Sequence, residues 1–112
     1  YLGGGPPTDT LGLLQDTHWS GGAFGYFPSY TLGAIYASQF YQALIRAEPG
    51  IEKQIEMGNL APVREWLGIQ IHQQGRLLSV PALVKRVTGE NLNPDHFLDY
   101  LKNKYRQIYR LN

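Results

Sequence analysis

The stretch GLLQDTHWSGGAFGYFPSYTL, residues 12–32, combines four glycines and five aromatic side chains with the ionisable pair Asp16 and His18. It is too polar for a buried strand and too rich in glycine for a regular helix, so we expect an ordered, functional loop. Glycine lets the backbone approach another surface closely. The aromatic residues are expected to wall a cavity, with their rings buried and the tyrosine hydroxyls paired. They are Trp19, Phe24, Tyr26, Phe27 and Tyr30.

Apolar residues recur at helical spacing after this loop, and proline and glycine mark the helix ends. The fold is predicted to be all-α, with no strand and no internal repeat. Residues 1–28 form a loop region and residues 29–112 the helices of a single segment. The predicted helices cover 29–47, 51–57, a third from Pro62 to Gly75, a fourth from the N-cap Ser79 to Thr88, and a last one that starts at Asn93-Pro94 and carries an apolar stripe through Tyr109.

Composition excludes several classes of protein. A chain of 112 residues predicts one domain, and its net charge of +1 argues against a nucleic-acid or anionic-membrane partner. The absence of cysteine rules out disulfides and thiolate zinc sites and suits a cytoplasmic protein. No apolar run approaches the roughly 20 residues that a membrane span requires. The chain begins with Tyr1 instead of methionine, which fits a fragment of a longer protein.

The residues of the loop leave two interpretations open. Asp16 and His18 lie two positions apart, so a carboxylate can orient an imidazole, either as a structural contact or as part of a catalytic or binding site. Tyr26 and Tyr30 are equally suited to packing in an aromatic core or to donating a hydrogen bond to a reacting group. The glycines lack the Lys-Ser/Thr sequence of a phosphate-binding loop, so we reject that function.

A metal site within this chain is not expected. His18, His72 and His96 match the ligand number of a zinc site, but they lie far apart in the sequence and form no i, i+4 pair. For His72 and His96, surface or helix-capping positions are sufficient. The cations near the C-terminus share their helix with Asp95 and Asp99, which indicates a solvated face more than a nucleic-acid surface.

The segment Gly12-Leu-Leu-Gln15-Asp16-Thr-His18-Trp19 resembles the Gly-x-x-Gln-Asp-x-His-Trp motif of the carboxypeptidase Taq family of zinc metallocarboxypeptidases. The run from Ser20 to Tyr30 is similar to the continuation of that motif. The resemblance extends to the C-terminus through Arg64-Glu65-Trp66-Leu67, Ile71-His72 and Val87-Thr88-Gly89-Glu90.

The resemblance implies that the chain is the C-terminal portion of a larger, mostly helical enzyme that removes C-terminal residues from peptides with a zinc-activated water. Family members are several times longer, and their zinc is held by a preceding His-Glu-x-x-His helix, a motif that this sequence lacks. The resemblance further implies a cytoplasmic homo-oligomer. Its partners would be a peptide substrate and the upstream part of the same polypeptide, without nucleic acid or membrane.

The resemblance also implies roles for particular residues. The motif lies at the active-site cleft of the family, so His18 is expected to contact the substrate or the developing oxyanion. One of Tyr26 and Tyr30 is expected to donate to the same oxyanion. The residues expected to bind substrate or organise the loop are Gln15, Asp16, Trp19, Gly21 and Gly22. The chain alone is expected to bind no metal and to be inactive.

Two other functions compete with this hypothesis. The first is a stand-alone α-helical module that uses the aromatic loop to bind a peptide or partner helix. The second is a small hydrolase in which Asp16 and His18 activate Ser20 or Ser29, although Ser20 lacks the Gly-x-Ser-x-Gly setting of such nucleophiles. If the chain is instead separated from the rest of a longer enzyme, side chains that would pack against the upstream helices become an exposed apolar surface, and we expect self-association.

Overall fold

The structure, a computed structural model, describes residues 3–111 without the side chain of Leu13, and within that range it is helical and contains no strand. The all-α prediction is confirmed. Six α-helices follow one another along the described chain, namely α1 Thr17–Ser20, α2 Pro28–Ala47, α3 Ile51–Glu56, α4 Ala61–Gln70, α5 Val80–Thr88 and α6 Asp95–Tyr109. Short 3-10 turns occupy Asp9–Leu11, Leu13–Gln15 and His72–Gln74.

The chain divides into two compact units. The first runs to Thr31 and the second from Leu32 onward, so that α2 begins in the first unit and continues through the second. The first unit holds the loop region with its short helical turns, and the second holds α3 to α6. Among residues 3–111, no helix is both long and apolar enough to cross a membrane.

Most helix ends follow the sequence signals. Pro28 lies in the first turn of α2, where its missing N–H costs nothing, and Gly50 supplies the left-handed residue between α2 and α3. The N-cap position of α6 is Pro94, and the side chain of Asn93 just before it accepts the N–H of Asp95 at 3.0 Å. Ser79 stands at the N-cap of α5 with an extended backbone, but its side chain makes no capping hydrogen bond.

The helix predicted from Pro62 to Gly75 is shorter than expected. α4 ends at Gln70, and a 3-10 turn follows. The Gln74 side chain donates to the carbonyl of Ile69 at 3.1 Å and accepts a hydrogen bond from Arg86 on α5. The tighter turn therefore contacts the following helix, and periodicity within the segment could not reveal that contact.

A small core forms between α2, α3 and α4. Its buried members are Ala43, Leu44, Ile51 and Trp66, and partly buried apolar residues pack around them. One polar residue, Gln39, is fully buried beside this core at 0% exposure. The core orders the second unit around the middle of α2.

The apolar stripe of α6 is only partly covered, contrary to a helix packed in a core. Phe97 and Leu101 are half-buried, whereas Leu98, Tyr105, Ile108 and Tyr109 are exposed. The stripe has the helical spacing predicted for it, but the described part of the chain leaves these four side chains open. Periodicity identifies the face of a helix that can be buried, and a partner decides whether it is.

Candidate functional site

Asp16 begins the local structure of the candidate site. Its side-chain oxygen Oδ1 accepts the backbone N–H of His18 at 2.8 Å and that of Trp19 at 3.4 Å, which caps the single helical turn α1. The region predicted as loop therefore contains a helical turn. The Asp16 cap stabilises this turn, because the carboxylate accepts hydrogen bonds from backbone N–H groups that would otherwise lack a partner.

Tight turns then return the chain towards α1. Gly22 and Gly25 adopt left-handed backbone conformations, with φ of 74° and 75°, that other residues rarely tolerate. The N–H of Ala23 donates to the carbonyl of His18 at 2.8 Å, and the N–H of Tyr30 donates to that of Phe27 at 3.0 Å. These turns bring residues twelve positions apart into contact.

His18 lies at the centre of the resulting cluster. Its Nδ1 is 3.3 Å from Asp16 Oδ1, and its Nε2 is 3.1 Å from the hydroxyl oxygen of Tyr30. The ring of Tyr26 stacks on the imidazole with 5.7 Å between centroids, and Phe27 meets it edge-on at 5.1 Å. Asp16, His18, Tyr26, Phe27 and Tyr30 are called the His18 cluster below.

The structure thus brings together all three candidate catalytic residues. His18, Tyr26 and Tyr30 form one continuous group, and Tyr26 and Tyr30 also meet edge-on at 5.3 Å. The sequence suggested the contact between Asp16 and His18 through their spacing. The bond from His18 to Tyr30 was missed, because it depends on the left-handed turns at two glycines between them.

The predicted burial of the aromatic rings is wrong for the described chain. Trp19 is 53% exposed, Phe24 72%, Tyr26 48% and Tyr30 57%. These rings contact one another, as Trp19 and Phe24 do at 5.7 Å, but no core lies beneath them within the first unit. The exposed rings form an open aromatic surface in place of the walls of a closed cavity.

The other motif residues support the backbone of this surface. The Gln15 side chain donates to the carbonyl of Thr10 at 2.6 Å, which ties the 3-10 turns together. Gly12 has no room for a side chain, since an added Cβ would lie 2.3 Å from Pro6. Gly21 ends α1 by donating its N–H to the carbonyl of Thr17 at 3.0 Å. The loop-organising role expected of Gln15 and Gly21 stays a prediction.

Ser20 does not have the geometry of a nucleophile activated by His18. Its hydroxyl donates towards the backbone carbonyls of Asp16 and Thr17, at 3.3 and 3.1 Å. The nitrogens of His18 are engaged by Asp16 and Tyr30 instead. A serine-dependent hydrolase built on this pair therefore has no support in the hydrogen bonding of Ser20.

The remaining histidines lie outside the cluster. His72 is exposed in the 3-10 turn after α4. His96 on α6 forms an ion pair with Glu90, with 2.7 Å between Nε2 and Oε1, and Asn93 donates to the other oxygen of Glu90 at 3.3 Å. These hydrogen bonds, that from His96 first, lower the pKa of Glu90 below its ordinary 4.5. This pair was not predicted from the sequence, although Glu90 and His96 lie only six positions apart, on either side of the start of α6.

Comparison with known proteins decides the family. A model of the family described as carboxypeptidase Taq (M32) metallopeptidase matches residues 1–105. The chain belongs to this family. Carboxypeptidase 1 of Bacillus subtilis (strain 168) is 44% identical over 111 residues, and thermostable carboxypeptidase 1 of Thermus thermophilus is 44% identical over 110. Thermostable carboxypeptidase 1 of Pyrococcus furiosus is 34% identical over 104 residues.

Solved structures agree with these sequences. The crystal structure described as BsuCP superposes with a TM-score of 0.83 at 44% identity, covering 96% of this chain and 22% of that one. A structure described as CHT gives a TM-score of 0.79 at 44% identity, over 93% of this chain and 21% of that one. The alignments with the three carboxypeptidases cover 99%, 97% and 93% of this chain. They cover only 22%, 21% and 21% of the length of the carboxypeptidases themselves. The chain spans about a fifth of its relatives.

Membership of a metallopeptidase family implies a metal cofactor. Among residues 3–111, no group of three or more His, Asp or Glu side chains is arranged to hold a metal ion. The His18 cluster offers one imidazole and one carboxylate, and both are already engaged with each other. The side chains of the described residues therefore do not fit a metal centre.

Proposed function

We propose that this chain is part of a metallocarboxypeptidase that hydrolyses C-terminal residues from peptides, and that residues 12–30 form one wall of its active-site cleft. The observation that carries the proposal is the His18 cluster, in which the histidine of the Gly-x-x-Gln-Asp-x-His-Trp motif and two tyrosines of the run that follows it converge. The exposure of these rings supports it, since a wall must be open to substrate.

The His18 cluster is suited to stabilising a tetrahedral intermediate. Peptide hydrolysis places negative charge on the oxygen of the scissile carbonyl, and a phenol or imidazole aimed at that oxygen lowers the barrier. Tyr26 and Tyr30 expose their hydroxyl-bearing rings, and His18 is held in place by Asp16. Trp19 and Gly22 complete the surface that would bind the peptide. This wall supplies binding and a hydrogen-bond donor, and not the nucleophile.

The activated water and its metal, zinc by the family resemblance, are proposed to come from the remaining part of a longer, cytoplasmic polypeptide. That part and the peptide are the proposed partners of this segment. The described residues offer no metal-ligand group, so we expect the chain alone to bind no zinc tightly and to hydrolyse no blocked dipeptide. Stoichiometric zinc together with turnover would contradict this expectation.

A graft tests the proposal directly. We would replace the matching 111-residue segment of Bacillus subtilis carboxypeptidase 1 with this chain and assay hydrolysis of a blocked dipeptide. The chimera is expected to be active. His18→Ala within it should lower kcat about 100-fold, because the substitution removes the ring that holds Tyr26 and Tyr30 in position, while metal content and thermal unfolding stay unchanged.

His72→Ala is the matched control, because that imidazole is exposed and lies outside the cluster. It should leave kcat unchanged. Full activity of the His18→Ala chimera would overturn the catalytic assignment. If the chimera does not fold, the same substitution at the position of the Bacillus subtilis enzyme that aligns with His18 provides the comparison.

A further inference from the structure

We infer that Asp16 is a positioning residue that fixes the tautomer of His18 and thereby makes the Tyr30 hydroxyl oxygen a hydrogen-bond acceptor towards the cleft. The argument begins at Nδ1 of His18, which lies 3.3 Å from a carboxylate oxygen of Asp16. An ionised carboxylate can only accept, so this contact requires a proton on Nδ1. A neutral imidazole carries one N–H, which leaves Nε2 as an acceptor.

The protonation of the second ring nitrogen, Nε2, determines whether the Tyr30 hydroxyl donates or accepts the hydrogen bond between them. Nε2 of His18 is 3.1 Å from the hydroxyl oxygen of Tyr30. With Nε2 unprotonated, the hydroxyl must donate its proton to the ring. The lone pairs of the phenol oxygen then remain for an outside donor. Tyr30 is exposed, so its hydroxyl oxygen is open to an N–H group of a bound peptide.

The carboxylate of Asp16 is held independently of the ring. The same oxygen caps α1 by accepting the N–H groups of His18 and Trp19. Residues 1–31 contain no lysine or arginine, and their only other carboxylate is that of Asp9. The ring faces Asp16, Tyr30, Tyr26 and Phe27, so no cation competes for Asp16 within this unit. Backbone structure therefore places the group that selects the tautomer.

The two tyrosines therefore have different hydrogen-bonding roles towards a substrate, an inference that rests on the proposed function. The proton of Tyr30 is used by His18, whereas the Tyr26 hydroxyl has no hydrogen-bond partner among the described residues. Tyr26 is therefore the free hydroxyl donor of the His18 cluster, suited to a developing oxyanion. Tyr30 is suited to accepting a peptide N–H.

The tautomer can be measured without any activity. The ¹⁵N spectrum of the His18 imidazole in this chain, at a pH where the ring is neutral, should show a protonated Nδ1 and an unprotonated Nε2. Asp16→Ser should abolish this preference, because serine still caps the helix but is too short to reach the ring. Tyr30→Phe should keep it, since Asp16 remains. Asp9→Ser is the matched control and should change nothing.

A protonated Nε2 in the parent chain, or an unchanged tautomer in Asp16→Ser, would overturn the inference. Kinetics in the chimera supply a second measurement, in which Asp16→Ser lowers kcat/KM about 10-fold, because Tyr30 is no longer fixed as the acceptor for the peptide N–H. Failure of the proposed function would appear separately, as an active His18→Ala chimera alongside the expected ¹⁵N spectrum. Failure of the tautomer assignment would leave His18→Ala inactive.

Discussion

At the scale of single residues, Gln39 joins α2 to the turn that precedes α6. Its amide nitrogen donates to the hydroxyl of Thr88 at 3.1 Å and to the carbonyl of Asn91 at 3.0 Å. Its amide oxygen accepts the N–H of Asn93 at 3.0 Å. A single buried side chain thus satisfies two polar groups of a turn that has no regular secondary structure and a third at the end of α5.

We expect Gln39→Ala to lower the free energy of unfolding by about 2 kcal/mol, because the substitution leaves those polar groups without a partner. Urea unfolding of the chain, followed by circular dichroism, measures the change. Gln42→Ala on the same helix is the control, since its side chain is only partly buried. It should cost less than about 1 kcal/mol. Equal effects of the two substitutions would argue against the special role of Gln39.

Contacts between single residues could be predicted from the sequence only where the two residues lie close together along the chain. Asp16 and His18 are two residues apart, and their contact was expected. The partner of His18 on its other side, Tyr30, is reached only through two left-handed glycines, whose conformations a single sequence does not specify. The sequence pattern of α2 does not distinguish Gln39 from the other polar residues of that helix. Its burial depends on residues about fifty positions away.

At the scale of elements, helix existence was more predictable than helix ends. Proline and glycine marked α2, α3 and α5 within one or two residues of their observed bounds. α4 ends five residues before the predicted Gly75, and the 3-10 turn that follows it accepts a hydrogen bond from Arg86 on α5, a contact that no local pattern encodes. The helical turn α1 was not predicted. Asp16 before Thr17-His18-Trp19 is an N-cap pattern, but the glycines nearby indicated a loop instead.

The turn between α5 and α6 predicts a dependence on pH. The carboxylate of Glu90 bridges His96 and Asn93, and the hydrogen bond from His96 is the main cause of its lowered pKa. A carboxyl whose pKa is lower in the folded state stabilises the fold above its ordinary pKa of 4.5. This stabilisation is lost as the pH falls below that value and through the lowered pKa.

Thermal unfolding between pH 6 and about pH 3 tests this linkage. Glu90→Gln should make the loss of Tm on acidification smaller than in the parent chain, because the substituted side chain no longer changes charge. Glu56→Gln is the control, as that side chain is exposed at the end of α3. It should retain the parent's pH profile. A Glu90→Gln profile that parallels the parent would show that the pair does not couple to folding.

At the scale of the whole molecule, the exposed apolar surface is the feature that sequence periodicity could not assign. A periodic stripe indicates that a helix face is suited to burial, and the chain spans only about a fifth of its relatives' length. The α6 stripe, defined as Leu98, Tyr105, Ile108 and Tyr109, is exposed along its length. Contiguous apolar surface of this kind tends to recruit a partner.

We therefore predict that the isolated chain self-associates through the α6 stripe. Sedimentation velocity over a range of concentrations should show a species larger than a monomer whose fraction rises with concentration. Ile108→Ser combined with Tyr109→Ser should raise the dissociation constant at least about 10-fold, since each buried apolar side chain contributes roughly 1.5–3 kcal/mol. Asn103→Ser with Gln107→Ser, two exposed polar positions of the same helix, should leave it unchanged. A chain that stays monomeric at high concentration would refute self-association, and an unchanged dissociation constant in the first variant would place the contact elsewhere.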